Sequence, residues 1–229
     1  FSYFNPMSTH LEIELNNRLN KIGTDGSNAA WQFSMDWMIN NRLRFSSNVL
    51  FDEYVLDKSE LGGRKEHGYA YSYRLSSNPI HNRNSILILY LSKIKVGTHT
   101  FRHFDGNNNF IQRNRPLGWI YGSDGVQNII GLNLLYKKKL IINSKLINRK
   151  IGGESIIYRS YEEYNNYEKG VFPSGLVKNT SELSINSSYF LRKEIEITSE
   201  LNLKKEKQSI RIFRYWFGLN IYFLLPKTF

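Results

Sequence analysis

The residue types best suited to binding chemistry are concentrated between two predicted strands, in residues 97–125. Guanidinium groups bind carboxylates through two parallel hydrogen bonds, and aromatic rings stack on the C–H faces of sugars. The amides of Asn107 to Asn109 add groups that can hydrogen-bond to hydroxyls. These residue types together suit an acidic polysaccharide. The candidate binding residues are Arg102, His103, Arg113, Arg115, Trp119, Tyr121 and Asp124.

The same residues also have a purely structural interpretation. Arg113 and Arg115 could pair with Asp105 or Asp124 and hold the segment in place, and Pro116 to Gly118 could form a turn. A second long predicted loop, residues 150–180, is rich in tyrosine and carries charges of both signs. It could complete a sugar-binding surface, fold over an enclosed interior, or remain a solvated loop. The sequence leaves these alternatives open.

The elements that must position both loops are strands, because apolar and polar residues alternate with a period of two. From Trp31 to Ile39 every second residue is apolar and the residues between are polar, with Met38 as the exception. The only amphipathic helix that the sequence predicts is a short one near Thr9 to Leu19. The nine predicted strands are Trp31–Ile39, Leu43–Asp52, Tyr69–Leu75, Asn84–Val96, Val126–Tyr136, Leu140–Arg149, Leu183–Arg192, Ile195–Leu203 and Phe213–Phe223.

Strand length and loop length predict an all-β fold, an antiparallel transmembrane β-barrel of the bacterial outer membrane. Most of the strands run to ten residues or more, as membrane-crossing strands do, whereas strands of soluble proteins average five or six. Short connections follow the odd-numbered strands and mostly long ones follow the even-numbered strands, which places turns and loops at opposite rims. The apolar face would meet lipid, and the polar face, with Arg44, Arg74 and Arg149, would line an aqueous interior.

The count of nine strands predicts a partial barrel, because bacterial single-chain barrels have even strand numbers. We expect residues 1–28 to form a loop or short helical leading segment and residues 29–229 to form the C-terminal part of the barrel. Further N-terminal strands would complete the closure. The aromatic last strand, ending at Phe229, resembles the C-terminal signal read by the barrel-assembly machinery, which is therefore an expected partner.

The charge balance predicts an anionic partner. Thirty-one lysines and arginines against 20 acidic residues give a net charge of +11, which suits nucleic acid, lipid head groups or acidic polysaccharide. No nucleic-acid recognition motif occurs, and the alternating faces do not fit that function. The partners expected from the residues alone are therefore an acidic polysaccharide and outer-membrane lipid, and the net charge does not choose between them.

Eight segments, taken in order, carry a resemblance to a known family: Phe1–Pro6, Asp25–Asn28, Thr100–His103, Arg113–Trp119, Tyr121–Gly125, Gly131–Asn133, Arg159–Tyr164 and Lys169–Gly175. Together they resemble the Wzi-type capsule-assembly family in its Bacteroidetes-like form, and the resemblance extends over nearly the whole chain. It implies a Gram-negative outer-membrane barrel that helps to anchor capsule or exopolysaccharide at the cell surface and acts as a lectin. The glycan partner that the resemblance implies is an acidic capsular polysaccharide or exopolysaccharide.

Catalytic and cofactor chemistry has little support in the sequence, so we expect neither an enzyme nor a cofactor. The chain lacks cysteine, and His99 and His103 are four residues apart in a loop, where that spacing does not place them on one face. Adjacent Glu162 and Glu163 cannot span a sugar as glycosidase carboxylates do. Two alternatives remain: a transport pore narrowed by residues 97–125, and an outer-membrane hydrolase using His99 or His103 with a nearby serine, such as Ser123.

Overall fold

The computed structural model describes residues 30–53, 66–102, 106, 109–162, 168–206 and 209–222, and these form an all-β structure. The leading segment with its predicted helix, and Phe229, lie outside the described residues. Across these ranges no helix is long and apolar enough to cross a membrane. The strands are β1 (Trp31–Asn40), β2 (Leu43–Glu53), β3 (Gly68–His81), β4 (Ser85–Val96), β5 (Ile111–Gln112), β6 (Arg115–Pro116), β7 (Gly125–Tyr136), β8 (Leu140–Ile151), β9 (Lys178–Arg192), β10 (Ile195–Glu206) and β11 (Ser209–Ile221).

Nine of these strands form one antiparallel sheet in the order β1-β2-β3-β4-β7-β8-β9-β10-β11, which confirms the nine predicted strands. The sheet is open, and β1 and β11 are its edges. No strand is predicted inside residues 97–125, but β5 and β6 form a small hairpin there. Strand β3 is also longer than predicted: it continues through Pro79 to His81, with a register shift between Ser77 and Ile80. Proline is tolerated at such a bulge because it has no N–H to pair.

Seven of the eight connections between the nine strands are sorted by length as predicted, and the two-residue connection 207–208 is the exception. Turns 41–42, 82–84, 137–139 and 193–194 lie at one end of the sheet, because antiparallel strands return to the same rim at every second connection. The opposite end carries the long connections 97–124 and 152–177, which we call loop 1 and loop 2, together with connection 54–67 and the short connection 207–208. Long and short connections therefore define a long-loop end and a short-turn end.

One face of the sheet, here called the apolar face, presents large hydrophobic side chains across all nine strands. A single row of paired residues crosses the sheet on this face, and seven of its nine members are exposed. No second layer of described protein covers them. The row consists of Trp37, Phe45, Leu75, Leu91, Ile130, Leu146, Leu183, Leu203 and Phe213.

The band of apolar residues on this face runs obliquely to the paired row. On β1 the band extends from Trp31 to Ile39. Its centre, Met35, lies two residues from Trp37, the β1 residue of the row, on the side of the long-loop end. On β11 the band extends from Phe213 to Ile221, and its centre, Phe217, lies four residues from the row residue Phe213, on the side of the short-turn end. The band therefore shifts by six residues over eight strand pairings.

The other face, the polar face, carries hydrogen-bonded polar side chains along much of its length. The Ser34 hydroxyl donates to Asn48 at 2.7 Å, and Arg44 Nε donates to Asp36 at 2.8 Å. The polar face also has two apolar regions. One is near the short turns and comprises Ile86, Leu135 and Ile141. The other, at the long-loop end, is the place where the buried core forms.

Candidate ligand-binding surface at the long-loop end

Loops 1 and 2 pack together onto the polar face at the long-loop end and form the hydrophobic core of the described structure. Phe101 of loop 1 and Ile156 of loop 2 are buried against Ala70 and Val96, which belong to the polar face of β3 and β4. These parts of both loops therefore belong to the folded structure, whereas Val171 and Leu176 of loop 2 are exposed. Partly buried side chains complete the core: Leu50, Ile94, Phe110, Ile111 and Trp119.

Asp124 joins the two loops through its carboxylate, which is 0% exposed. It accepts hydrogen bonds from the Thr98 hydroxyl (2.9 Å), the Glu154 N–H (3.2 Å) and the Ser174 N–H and hydroxyl (3.0 and 2.5 Å). A Cβ on Gly152 would collide with this carboxylate, so the glycine is needed for the close approach. Asp124 is therefore committed to holding the loops together and is out of reach of a ligand.

Arg102 has a similar position between the loops. Its guanidinium is buried, donates to the backbone carbonyl of Glu154, and lies 3.7 Å from the Glu154 carboxylate. The same carboxylate is 3.4 Å from Arg159. Burial and these contacts make Arg102 a link between loop 1 and loop 2. His103 and Asp105 lie outside the described residues.

Two serines extend the junction between the loops. The Ser155 hydroxyl donates to the Tyr121 carbonyl at 2.8 Å, and the Ser123 hydroxyl accepts from the Ile156 N–H at 3.2 Å. Both serines are fully buried. His99, also buried, has its Nε2 3.3 Å from the Glu66 carboxylate. Ser123 is therefore closed off from a ligand by burial, and His103, the other histidine of the hydrolase alternative, lies outside the described residues.

Arg113 and Arg115 are at the tip of the β5–β6 hairpin and are exposed. Arg113 and Asn114 have φ values of 50° and 61°, as in a type I′ turn, where asparagine and glycine are the favoured residues. The Asn114 N–H donates to the Tyr161 hydroxyl of loop 2 at 3.4 Å, which ties the hairpin to the second loop. Neither arginine forms an ion pair with any residue that the structure describes.

Trp119 and Tyr121 are partly exposed and contact each other edge to face, with ring centroids 5.3 Å apart. The Tyr121 ring lies 3.6 Å from the guanidinium of Arg149, which donates to Gln127 at 2.7 Å and approaches Glu182 at 3.9 Å. Both rings are therefore packed against protein and remain partly accessible to solvent. They belong to the same loop as the arginine hairpin.

Six of the seven candidate residues lie within the described ranges, and they separate into different environments. Arg102 and Asp124 are buried between the loops, Arg113 and Arg115 are exposed, and the two aromatic residues lie between these extremes. Sequence reasoning did not identify Gly152 and Ser174, which complete the Asp124 contacts. Within the described ranges no group of three His, Asp or Glu side chains is placed to hold a metal ion.

Comparisons with protein-family models, curated proteins and solved structures gave no match to this chain.

Proposed function

We propose that this chain forms part of an outer-membrane β-barrel of a Gram-negative bacterium and that its long-loop end binds an acidic surface polysaccharide. The observation that carries the membrane part is the continuous exposed apolar face. Phe33 and Phe213, at opposite edges of the sheet, are 62% and 66% exposed. Exposed apolar patches on soluble monomers rarely exceed a few hundred Å², so a face that spans nine strands calls for a nonaqueous environment.

The oblique course of the apolar band supports a barrel in particular. Strands of a closed barrel tilt relative to its axis, so a level membrane band must shift in register from strand to strand. Six residues over eight pairings is about 0.75 residue per pairing. With about 3.3 Å per residue and 4.8 Å between strands, this shift corresponds to a tilt of roughly 30°. Membrane barrels tilt by about 35–45°, which is close to this value.

The proposal requires that both edges of the sheet find partners. Unpaired N–H and C=O groups on β1 and β11 would each cost several kcal/mol, on the order of 2–7, in hydrocarbon. Further strands would supply the missing pairings and close the sheet. The resemblance to the Wzi-type capsule-assembly family, carried by the loop motifs, agrees with such a larger barrel.

The glycan part of the proposal depends on the β5–β6 hairpin. Arg113 and Arg115 present two guanidinium groups without ion-pair partners among the described residues, in the same loop as the partly accessible rings of Trp119 and Tyr121. Carboxylates of an acidic polysaccharide would bind the guanidinium groups, and sugar faces would stack on the rings.

The test replaces both hairpin arginines with alanine in the full-length protein. We expect the Arg113→Ala, Arg115→Ala variant to insert normally and to lose about ten-fold or more in affinity for purified acidic capsular polysaccharide, since each charged contact contributes roughly 1 kcal/mol. Cells carrying it should release polysaccharide into the medium. The matched control, Lys138→Ala with Lys139→Ala, removes two charges at the short-turn end and should bind normally. Undiminished binding by the arginine variant would contradict the assignment.

A transport pore is the second candidate, and the position of the loops bears on it. Loops 1 and 2 lie against the polar face, which would narrow any path through the interior. For a lectin we expect little ion conductance by the full-length protein in planar bilayers. Large, stable conductance steps would favour the pore.

A further inference from the structure

An open groove of about 290 Å³ crosses the apolar face at the long-loop edge of the apolar band. Its two halves differ in chemistry. Phe45, Leu75, Leu91 and Ile130 belong to the apolar row, whereas Lys93 and Asn128 are one step closer to the long-loop end. The groove is therefore apolar at one end and cationic at the other. Its full lining is Phe45, Tyr73, Leu75, Leu91, Ser92, Lys93, Asn128, Ile129 and Ile130.

Lysines on the apolar face occur on one side of the band only. Within the described strands, Lys93, Lys95, Lys150 and Lys205 all lie between the apolar band and the long-loop end, and none lies toward the short turns. The apolar face of these strands carries no carboxylate that could neutralise them. A row of cations bordering an apolar surface complements an anionic head group above acyl chains.

Lys95 is held in place at this border. Its ammonium donates to the Tyr69 hydroxyl at 3.1 Å and lies 4.5 Å from the ring centroid of Phe172, a residue of loop 2. An ammonium group has three N–H donors, so the bond to Tyr69 leaves donors for an anion. Because the aromatic contacts restrain the side chain, less conformational entropy is lost when an anion binds.

We propose that this groove seats a lipid with a phosphate monoester head group. An acyl chain lies along Leu75, Leu91 and Ile130, and the phosphate binds Lys93 and Lys95 with help from the Asn128 amide. The inference rests on the proposed membrane insertion and specifies which leaflet and which head-group chemistry the barrel selects. The lipid would belong to the leaflet at the long-loop end.

The experiment measures lipid selectivity at the protein surface by electron paramagnetic resonance. The full-length protein is reconstituted in phosphatidylcholine vesicles containing trace spin-labelled phosphatidic acid or trace spin-labelled phosphatidylcholine. We expect the motionally restricted fraction to show a preference of roughly five-fold or more for phosphatidic acid, since one lysine near an anionic surface contributes about that factor. Lys93→Gln with Lys95→Gln should reduce the preference to less than about two-fold.

The matched control is Lys138→Gln with Lys139→Gln at the short-turn end, which should keep the preference of the natural protein. Equal restriction of both lipids by the natural protein would overturn the lipid site while leaving membrane insertion intact. Loss of preference in the control variant, or its full retention in the groove variant, would also overturn the site. Absence of any restricted lipid would overturn insertion itself and, with it, the proposed barrel.

Discussion

The two faces of this sheet have the same strands and opposite environments. On the apolar face Phe33 is 62% exposed, whereas Val96 on the polar face is 2% exposed beneath the loops. Strand alternation creates both faces, but the core residues of loops 1 and 2 pack against only one of them. The chain therefore builds its own core at the long-loop end and leaves its most hydrophobic surface to be covered from outside. That difference is the central reason for proposing a lipid environment.

A second contrast lies within the long-loop end. Arg102 and Asp124 have the charges expected of ligand-binding residues, yet both are buried in contacts between the loops. Arg113 and Arg115 have the same chemistry in an exposed hairpin. Burial, and not residue type, thus separates side chains that hold the loops from side chains available to a ligand.

The largest effect is expected from a charge placed on the apolar face. Leu146→Arg should destabilise the folded protein by about 2–4 kcal/mol if Leu146 faces hydrocarbon, whereas an exposed leucine in water tolerates this change within about 0.5 kcal/mol. The control on the same strand is Asn143→Arg, which lies on the polar face. Urea titration of the full-length protein in lipid measures the change in the free energy of unfolding for both variants. Equal, small effects would place the apolar face in water.

A smaller effect is expected at the junction between the loops. Gly152→Ala places a methyl group against the Asp124 carboxylate and should cost about 2 kcal/mol through overpacking. Amide hydrogen exchange at Glu154 and Ser174 should accelerate by roughly 30-fold. Gly170→Ala is the control, because a Cβ there meets no atom within 4 Å. Slow exchange in both variants would show that the Asp124 contacts do not hold the loops.

The smallest effect separates backbone strain from binding in the hairpin. Arg113→Gly should stabilise the hairpin by about 0.5 kcal/mol, because glycine adopts positive φ without steric cost. Arg115→Gly, in β6, should destabilise it by a similar amount, since glycine weakens a strand. Both variants remove one guanidinium, so both should weaken polysaccharide binding. Hydrogen exchange of the hairpin amides measures stability, and a loss of binding in Arg115→Gly alone would limit the site to Arg115.

The sheet was largely predictable because its signal is local. A period of two is visible in any ten residues, so all nine strands were placed, and the sorting of connection lengths followed from antiparallel order. The predicted strand β3 stops too early, at Leu75, because Asn78 and Pro79 normally indicate a turn. In the structure these two residues lie in a bulge that depends on pairing with β4. The β5–β6 hairpin was missed because two-residue strands carry no periodicity.

The site was less predictable because burial there depends on contacts between distant segments. The residues near Asp124 in the sequence do not predict its contact with Ser174, which is 50 residues later. They also do not predict that Gly152, which has no side chain, allows the carboxylate to approach closely. The alternative in which Asp124 pairs with Arg113 or Arg115 was reasonable on charge alone. In the structure the Asp124 carboxylate instead accepts hydrogen bonds from uncharged donors. Both arginines are exposed at the surface.

By itself, the sequence determined the strands, their two contrasting faces and the end of the sheet where the long loops gather, because alternation and chain order are local and topological properties. Only the tertiary structure decided which face the core residues of the loops pack against, which charged residues the loops bury, and how the apolar band shifts across the register. Those properties depend on contacts between side chains that are far apart in the chain, and a local sequence pattern does not encode such contacts.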